Sequence, residues 1–156
     1  ERVVRSMTGS LVIRLPLLYG LPGVARGTTF LNQMTALRRG ESLRLFEDEY
    51  RSPIDVEDAA SSILLAARSD YSGVLHVAGP QRLSRLEMGY IMADALGVPR
   101  EQVVAVKQAE MKFAEARPRD VSLSSGLFEK LFNRKCGRTM AESMVDVVRE
   151  HKKSPG

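Results

Sequence analysis

Leu11-Val12-Ile13-Arg14-Leu15, closed by Pro16 and then by Tyr19-Gly20, is the stretch on which the architecture turns. So short and nearly unbroken an apolar run suits a strand buried on both faces, as in a parallel sheet. A second such run, Val74-Leu75-His76-Val77-Ala78, is bracketed by Gly73 and by Gly79-Pro80. Between them, Asp55 opens a helix whose apolar positions Val56, Ala59, Ala60, Ile63, Leu64 and Ala67 recur at helical spacing. Strands separated by helices predict an α/β architecture with parallel strands.

Working outward, Leu21 to Gly27 carries Pro22, Gly23 and Gly27 and reads as a loop. Thr28 or Thr29 can cap a helix with Phe30, Met34 and Leu37 on one face and Gly40 past its end. Residues 42–54 suggest a hairpin: Leu43 to Phe46, an acidic turn Glu47-Asp48-Glu49, then Tyr50 to Ser52. Ser84-Arg85-Leu86-Glu87 is a capping box for a helix with Met88, Ile91, Met92, Ala95 and Leu96 inward, stopped by Gly97 and Pro99. Val103 to Val106 is a further short strand, and two more helices lie around 127–132 and 140–148, the latter capped by Thr139 and Glu142. Residues 152–156 are expected to fray. Only two strands look central, and two make a poor sheet, so the rest of the sheet is expected to come from residues preceding Glu1.

The 156 residues are 44% hydrophobic, 27% charged and 6% aromatic, enough for a real core. Lys+Arg 23 against Asp+Glu 19 gives a net charge of only +4, with no block of like charges, so nucleic acid is not an expected partner. A single cysteine, Cys136, and two separated histidines, His76 and His151, exclude a disulfide framework and leave zinc almost without ligands. No apolar run approaches the ~20 residues that span a bilayer, so no membrane partner is expected, and a reducing, cytoplasmic setting fits best.

Catalytic signatures are missing. No two glycines sit two apart and none precedes a lysine, so both G-x-G-x-x-G and the P-loop are absent, as is G-x-S-x-G. The acidic run 47–49 reads best as a solvated turn, Cys136 as an incidental surface thiol, and His76 as a core or cleft-facing residue. Two arginine neighbourhoods carry more weight. Arg51 precedes Ser52-Pro53-Ile54-Asp55, where an extended segment enters a helix, and Arg117-Pro118-Arg119-Asp120 is a compact cluster. Arginines on loops at sheet ends suit bidentate binding of phosphate oxygens. The alternative is solvated charge or local ion pairing, Arg51 with Glu49 or Arg119 with Asp120.

The order Arg14 to Gly20, Arg51 to Ala60, Val74 to Pro80, Ser84 to Gly97 and Arg117 to Ser124 resembles the C-terminal half of extended short-chain dehydrogenase/reductases. Within them it is most similar to the dTDP-4-dehydrorhamnose reductase-like group, which includes the methionine adenosyltransferase regulatory beta subunit. The resemblance implies the C-terminal portion of a Rossmann-type NAD(P)-binding fold plus a small mixed α/β substrate-binding lobe, over residues 1–151. It implies that Pro16, Leu17, Leu18 and Tyr19 wall the nicotinamide end of NADP(H) or NAD(H), and that Arg51 and Arg117 hold the diphosphate of a nucleotide-sugar. The cofactor would be bound mainly by an N-terminal half outside these residues, which would also carry the Gly-rich turn and the Tyr-x-x-x-Lys pair. No tyrosine here has a lysine four positions later, so the chain alone is expected to be inactive. Two departures fall at substrate positions: Thr29 where the family often has Asn, and Ser124 where it frequently has Asp. The resemblance implies a 4-keto nucleotide-sugar reductase or, alternatively, a non-catalytic regulatory subunit on the same fold, with a homodimer or a partner enzyme as possible associations.

Overall fold

The computed structural model describes residues 1–23, 27–111, 113, 115 and 117–153. In chain order the elements are α1 (Arg2–Arg5), β1 (Leu11–Arg14), β2 (Leu18–Tyr19), α2 (Thr29–Arg38), β3 (Leu43–Phe46), β4 (Tyr50–Arg51), β5 (Ile54–Asp55), α3 (Val56–Ala67), β6 (Gly73–His76), β7 (Leu83–Ser84), α4 (Arg85–Leu96), β8 (Val103–Val106), α5 (Gly126–Phe132) and α6 (Met140–Lys153). The loop expected over 21–27 lies partly outside the described residues, as do residues 154–156 of the expected tail.

The two deciding runs pair with each other. β1 and β6 are parallel, in register Leu11 with Gly73 through Arg14 with His76. Contrary to expectation, β1 is not buried on both faces: Leu11 to Ile13 are half-buried and Leu15 is 40% exposed. Within these residues only β6 pairs with β1, so one edge of it has no strand partner here.

The strands pair two by two. β2 runs parallel to β5, β3 parallel to β8, and β4 antiparallel to β7. The expected hairpin over 42–54 therefore does not form. A tight hairpin loop favours residues that accept positive φ, and 42–53 contains no glycine or asparagine. The chain instead leaves β3 for a distant partner, and the Glu47 amide donates to the Val106 carbonyl (3.0 Å) at the end of that pairing.

Two cores result. One gathers Met34, Leu37, Met92, Met140 and Met144 between α2, α4, α6 and the β3–β8 pair. Gly89 lets α4 lie close on that pair, because a Cβ there would stand 2.8 Å from Val103 Cγ1. The second gathers Ile54, Leu75, Val77, Phe128 and Cys136 against α3. The inward face of α3 is Ala59, Ser62 and Ala66, not the Ile63–Leu64–Ala67 side that spacing favours; Leu64 is 56% exposed. Small side chains permit close approach, and the Ser62 hydroxyl donates to the Cys136 carbonyl. Cys136 is accordingly buried rather than a surface thiol, and burial pushes its thiol pKa up.

The caps follow expectation. Thr28 accepts from the Leu31 amide, Asp55 from Glu57, Ser84 and Glu87 form the reciprocal box, and Thr139 and Glu142 form another. None of the described helices is long and apolar enough to cross a membrane.

Candidate functional site

The short β2–β5 pairing brings the two predicted site segments together. Ile54 donates to the Leu17 carbonyl (3.1 Å), so Pro16 to Tyr19 lie beside the segment that follows Arg51. An open cleft of about 550 Å³ is lined by Ile13, Pro16, Leu17, Arg51 and Leu123, uniting part of the predicted cofactor wall with a predicted phosphate ligand. A second cavity, of about 300 Å³, shares Leu17 with this cleft and is lined also by Tyr19, Thr29, Phe30, Arg85 and Met88. Thr29, one of the two family departures, thus faces this cavity. Ser124, the other, lines a separate polar pocket with Ser52 and Ser125.

The Tyr19 side chain belongs to the core. It is 3% exposed, its ring lies 5.6 Å from that of Phe30, and its hydroxyl hydrogen-bonds Ser143. Burial pushes its phenol well above the ordinary range, so the side chain stays neutral. His76, at the end of β6, is half-buried with Nε2 3.4 Å from Arg14 Nη1.

Arg51 and Arg117 converge on Glu49. Arg51 Nη2 lies 2.8 Å from Glu49 Oε1 and Arg117 Nη2 3.6 Å from Oε2. Gln108 Nε2 also donates to Oε2 (3.2 Å). Glu49 is 4% exposed, which corrects the expectation of a solvated acidic turn. Asp48 accepts from the Gln108 backbone amide and lies 3.8 Å from Arg119, and Glu47 reaches toward Lys107 at 3.4 Å. A carboxylate is this deeply buried only where charged partners compensate it, and the two arginines supply the compensation. The Arg51–Glu49 pair was one of the alternatives open from spacing. Its geometry also pre-positions Arg51, whose Nη1 donates to the Tyr50 carbonyl (2.6 Å).

The Arg117 segment is tied down at Asp120. Tyr50 donates to the Arg119 carbonyl (2.7 Å), and Arg82 stacks on the Tyr50 ring at 3.6 Å while pairing with Asp120 at 2.8 Å. Hydrogen bonds from the Ser122 hydroxyl and amide, and then from Arg82, hold the Asp120 carboxyl down to about 2. The folded value lies below the unfolded one, so this link contributes fully above about pH 4 and is lost as pH falls toward 2. Asp120→Asn is expected to flatten the fall of Tm between pH 4 and 2; thermal scans with the wild-type slope would refute that.

A second ionic cluster, Arg138 with Asp58 and Asp146, braces α3 against α6, and Arg138 and Asp146 line a further, much smaller pocket there. These carboxylates keep the Arg138 guanidinium firmly charged.

With this geometry in place, comparison with known proteins is decisive: residues 1–152 match the RmlD substrate binding domain. The chain belongs to that family. A probable low-salt glycan biosynthesis reductase, Agl14, of Haloferax volcanii is 25% identical over 122 residues, 76% of this chain and 41% of that protein. A dTDP-4-dehydrorhamnose reductase of Bacillus anthracis, solved with NADP, superposes with TM-score 0.75 at 20% identity, over 90% of this chain and 48% of that one. A hypothetical dTDP-4-dehydrorhamnose reductase of Sulfolobus tokodaii superposes with TM-score 0.69 at 27% identity, over 85% and 45%. This RmlD-type chain therefore spans less than half the length of each of these relatives, and its fold is that of the Rossmann-type reductases.

Proposed function

We propose that these residues are the substrate-binding half of an NADP(H)- or NAD(H)-dependent reductase acting on a 4-keto nucleotide-sugar. The convergence of Arg51 and Arg117 on Glu49, beside the apolar Pro16-Leu17 wall, is the observation that carries this reading. A nucleotide-sugar diphosphate presents charged oxygens that planar guanidinium forks match in pairs. The apolar wall suits the face of a nicotinamide ring, which supplies hydride when bound; Pro16 to Tyr19 exclude water from that side. Proton transfer belongs to residues outside this chain.

Titration of the full-length protein with a dTDP-sugar tests the assignment. Arg117→Ala is expected to weaken binding about tenfold, the worth of a partly exposed charge-assisted contact. Unchanged affinity would remove its role.

A further inference from the structure

We infer that Arg85 is a third cationic ligand for the diphosphate of the bound nucleotide, a role that rests on the reading above and extends it to a residue with no acidic partner among the described residues. Arg85 is the first residue of α4, and its amide donates to the main-chain carbonyl of Glu49 (2.9 Å), which ties its backbone to that of the residue whose carboxylate Arg51 and Arg117 share. Its side chain enters the cavity of about 300 Å³, whose other walls are largely Leu17, Tyr19, Phe30 and Met88.

Among the described residues no carboxylate lies within 4.0 Å of this guanidinium, and Nη1 lies 4.0 Å from the Met88 sulfur. A half-buried charge among apolar walls is costly unless paired. Burial lowers its pKa from the usual arginine value, with the charges of Arg51 and Arg117 acting in the same direction and Glu49 opposing them. It remains cationic, because arginine starts far above neutral pH. Arg51 and Arg117 share the Glu49 carboxylate, and with Arg85, on which these charges act, the three guanidinium groups exceed that carboxylate by two positive charges, which matches the two negative charges of a nucleotide-sugar diphosphate. Arg85 lines a cavity that shares Leu17 with the Arg51 cleft, and an anion held by Arg51 and Arg117 would supply the counter-charge that Arg85 lacks.

The test compares dTDP with thymidine on the full-length protein, by calorimetric titration of wild type, Arg85→Gln, Arg85→Lys, Arg51→Gln and Arg117→Ala. Arg85→Gln is expected to weaken dTDP binding at least tenfold and to change thymidine binding less than twofold. Arg85→Lys keeps the charge but loses the planar fork, and is expected to lose severalfold. If the Arg51 and Arg117 variants lose dTDP affinity while both Arg85 variants bind like wild type, Arg85 has no such role and the wider reading stands. If wild type binds dTDP no more tightly than thymidine, the diphosphate reading itself falls, and Arg85 with it. An Arg85→Gln loss equal for dTDP and thymidine would also overturn the inference, because it would mark a packing defect rather than a lost charge contact. Should Arg85→Gln fail to fold, Arg85→Lys still decides, since wild-type dTDP affinity in that variant refutes the fork contact.

Discussion

Gly79→Ala is expected to destabilise the protein by about 3 kcal/mol or more, the upper end of what overpacking costs. The φ of Gly79 does not require glycine; the space does. A Cβ there would collide with the Pro53 carbonyl oxygen and stand 2.8 Å from the Pro53 carbonyl carbon. Both are backbone atoms, so no rotamer change relieves the contact. Segment 52–54 would have to move away from the end of the strand that β6 begins, straining the Ile54–Leu17 bond and displacing Arg51 two residues upstream. A fall in Tm of roughly 6–12 °C should accompany the loss, with weaker dTDP binding. Gly23→Ala is the control, since nothing lies within 4 Å of the added methyl. A Gly79→Ala protein as stable as Gly23→Ala would show that the close approach of Gly79 to Pro53 is not essential.

Glu49→Ala is expected to cost about 3 kcal/mol. Breaking a buried ion pair from one side costs about 3–5 kcal/mol because the other charge is left uncompensated. The lower figure applies because the Arg117 side chain, 49% exposed, can turn to water, whereas that of Arg51, 15% exposed, cannot. Gln108 also loses its acceptor. Glu49→Ala/Arg51→Ala should cost less than the sum of the single variants, since the second change removes the charge that the first stranded. Denaturant melts of the full-length protein read both quantities. Strict additivity, or a Glu49→Ala midpoint equal to wild type, would show that the carboxylate does not hold the arginines.

The helices were legible because their signals are local. Thr28, Asp55, Ser84 and Thr139 each cap within three residues of themselves, and the Phe30–Met34–Leu37 stripe needs only helical periodicity. The apolar runs at 11–15 and 74–78 were legible as strands for the same reason. Arg51 and Arg117 could be singled out by residue type and neighbourhood, and the order of motifs pointed to the family that residues 1–152 match. The Arg51–Glu49 pair was legible as an alternative, since two residues on the same side of an extended chain can meet, but the burial of Glu49 was not, because an acidic triplet reads as a solvated turn; Arg85 was not found, since an arginine inside a capping box looks like an ordinary surface residue.

By itself the sequence determined the caps, the helical faces of α2 and α4, the apolar strands and the class of fold, because each is set by interactions across a few residues. Only the tertiary structure decided which strand pairs with which. β3 joins β8 across sixty positions, and β2 joins β5 through two residues. Such pairings are chosen by what the whole chain can bury, which no local window records. The same global choice took Glu49 out of water, and in doing so drew Arg51 and Arg117 onto one carboxylate.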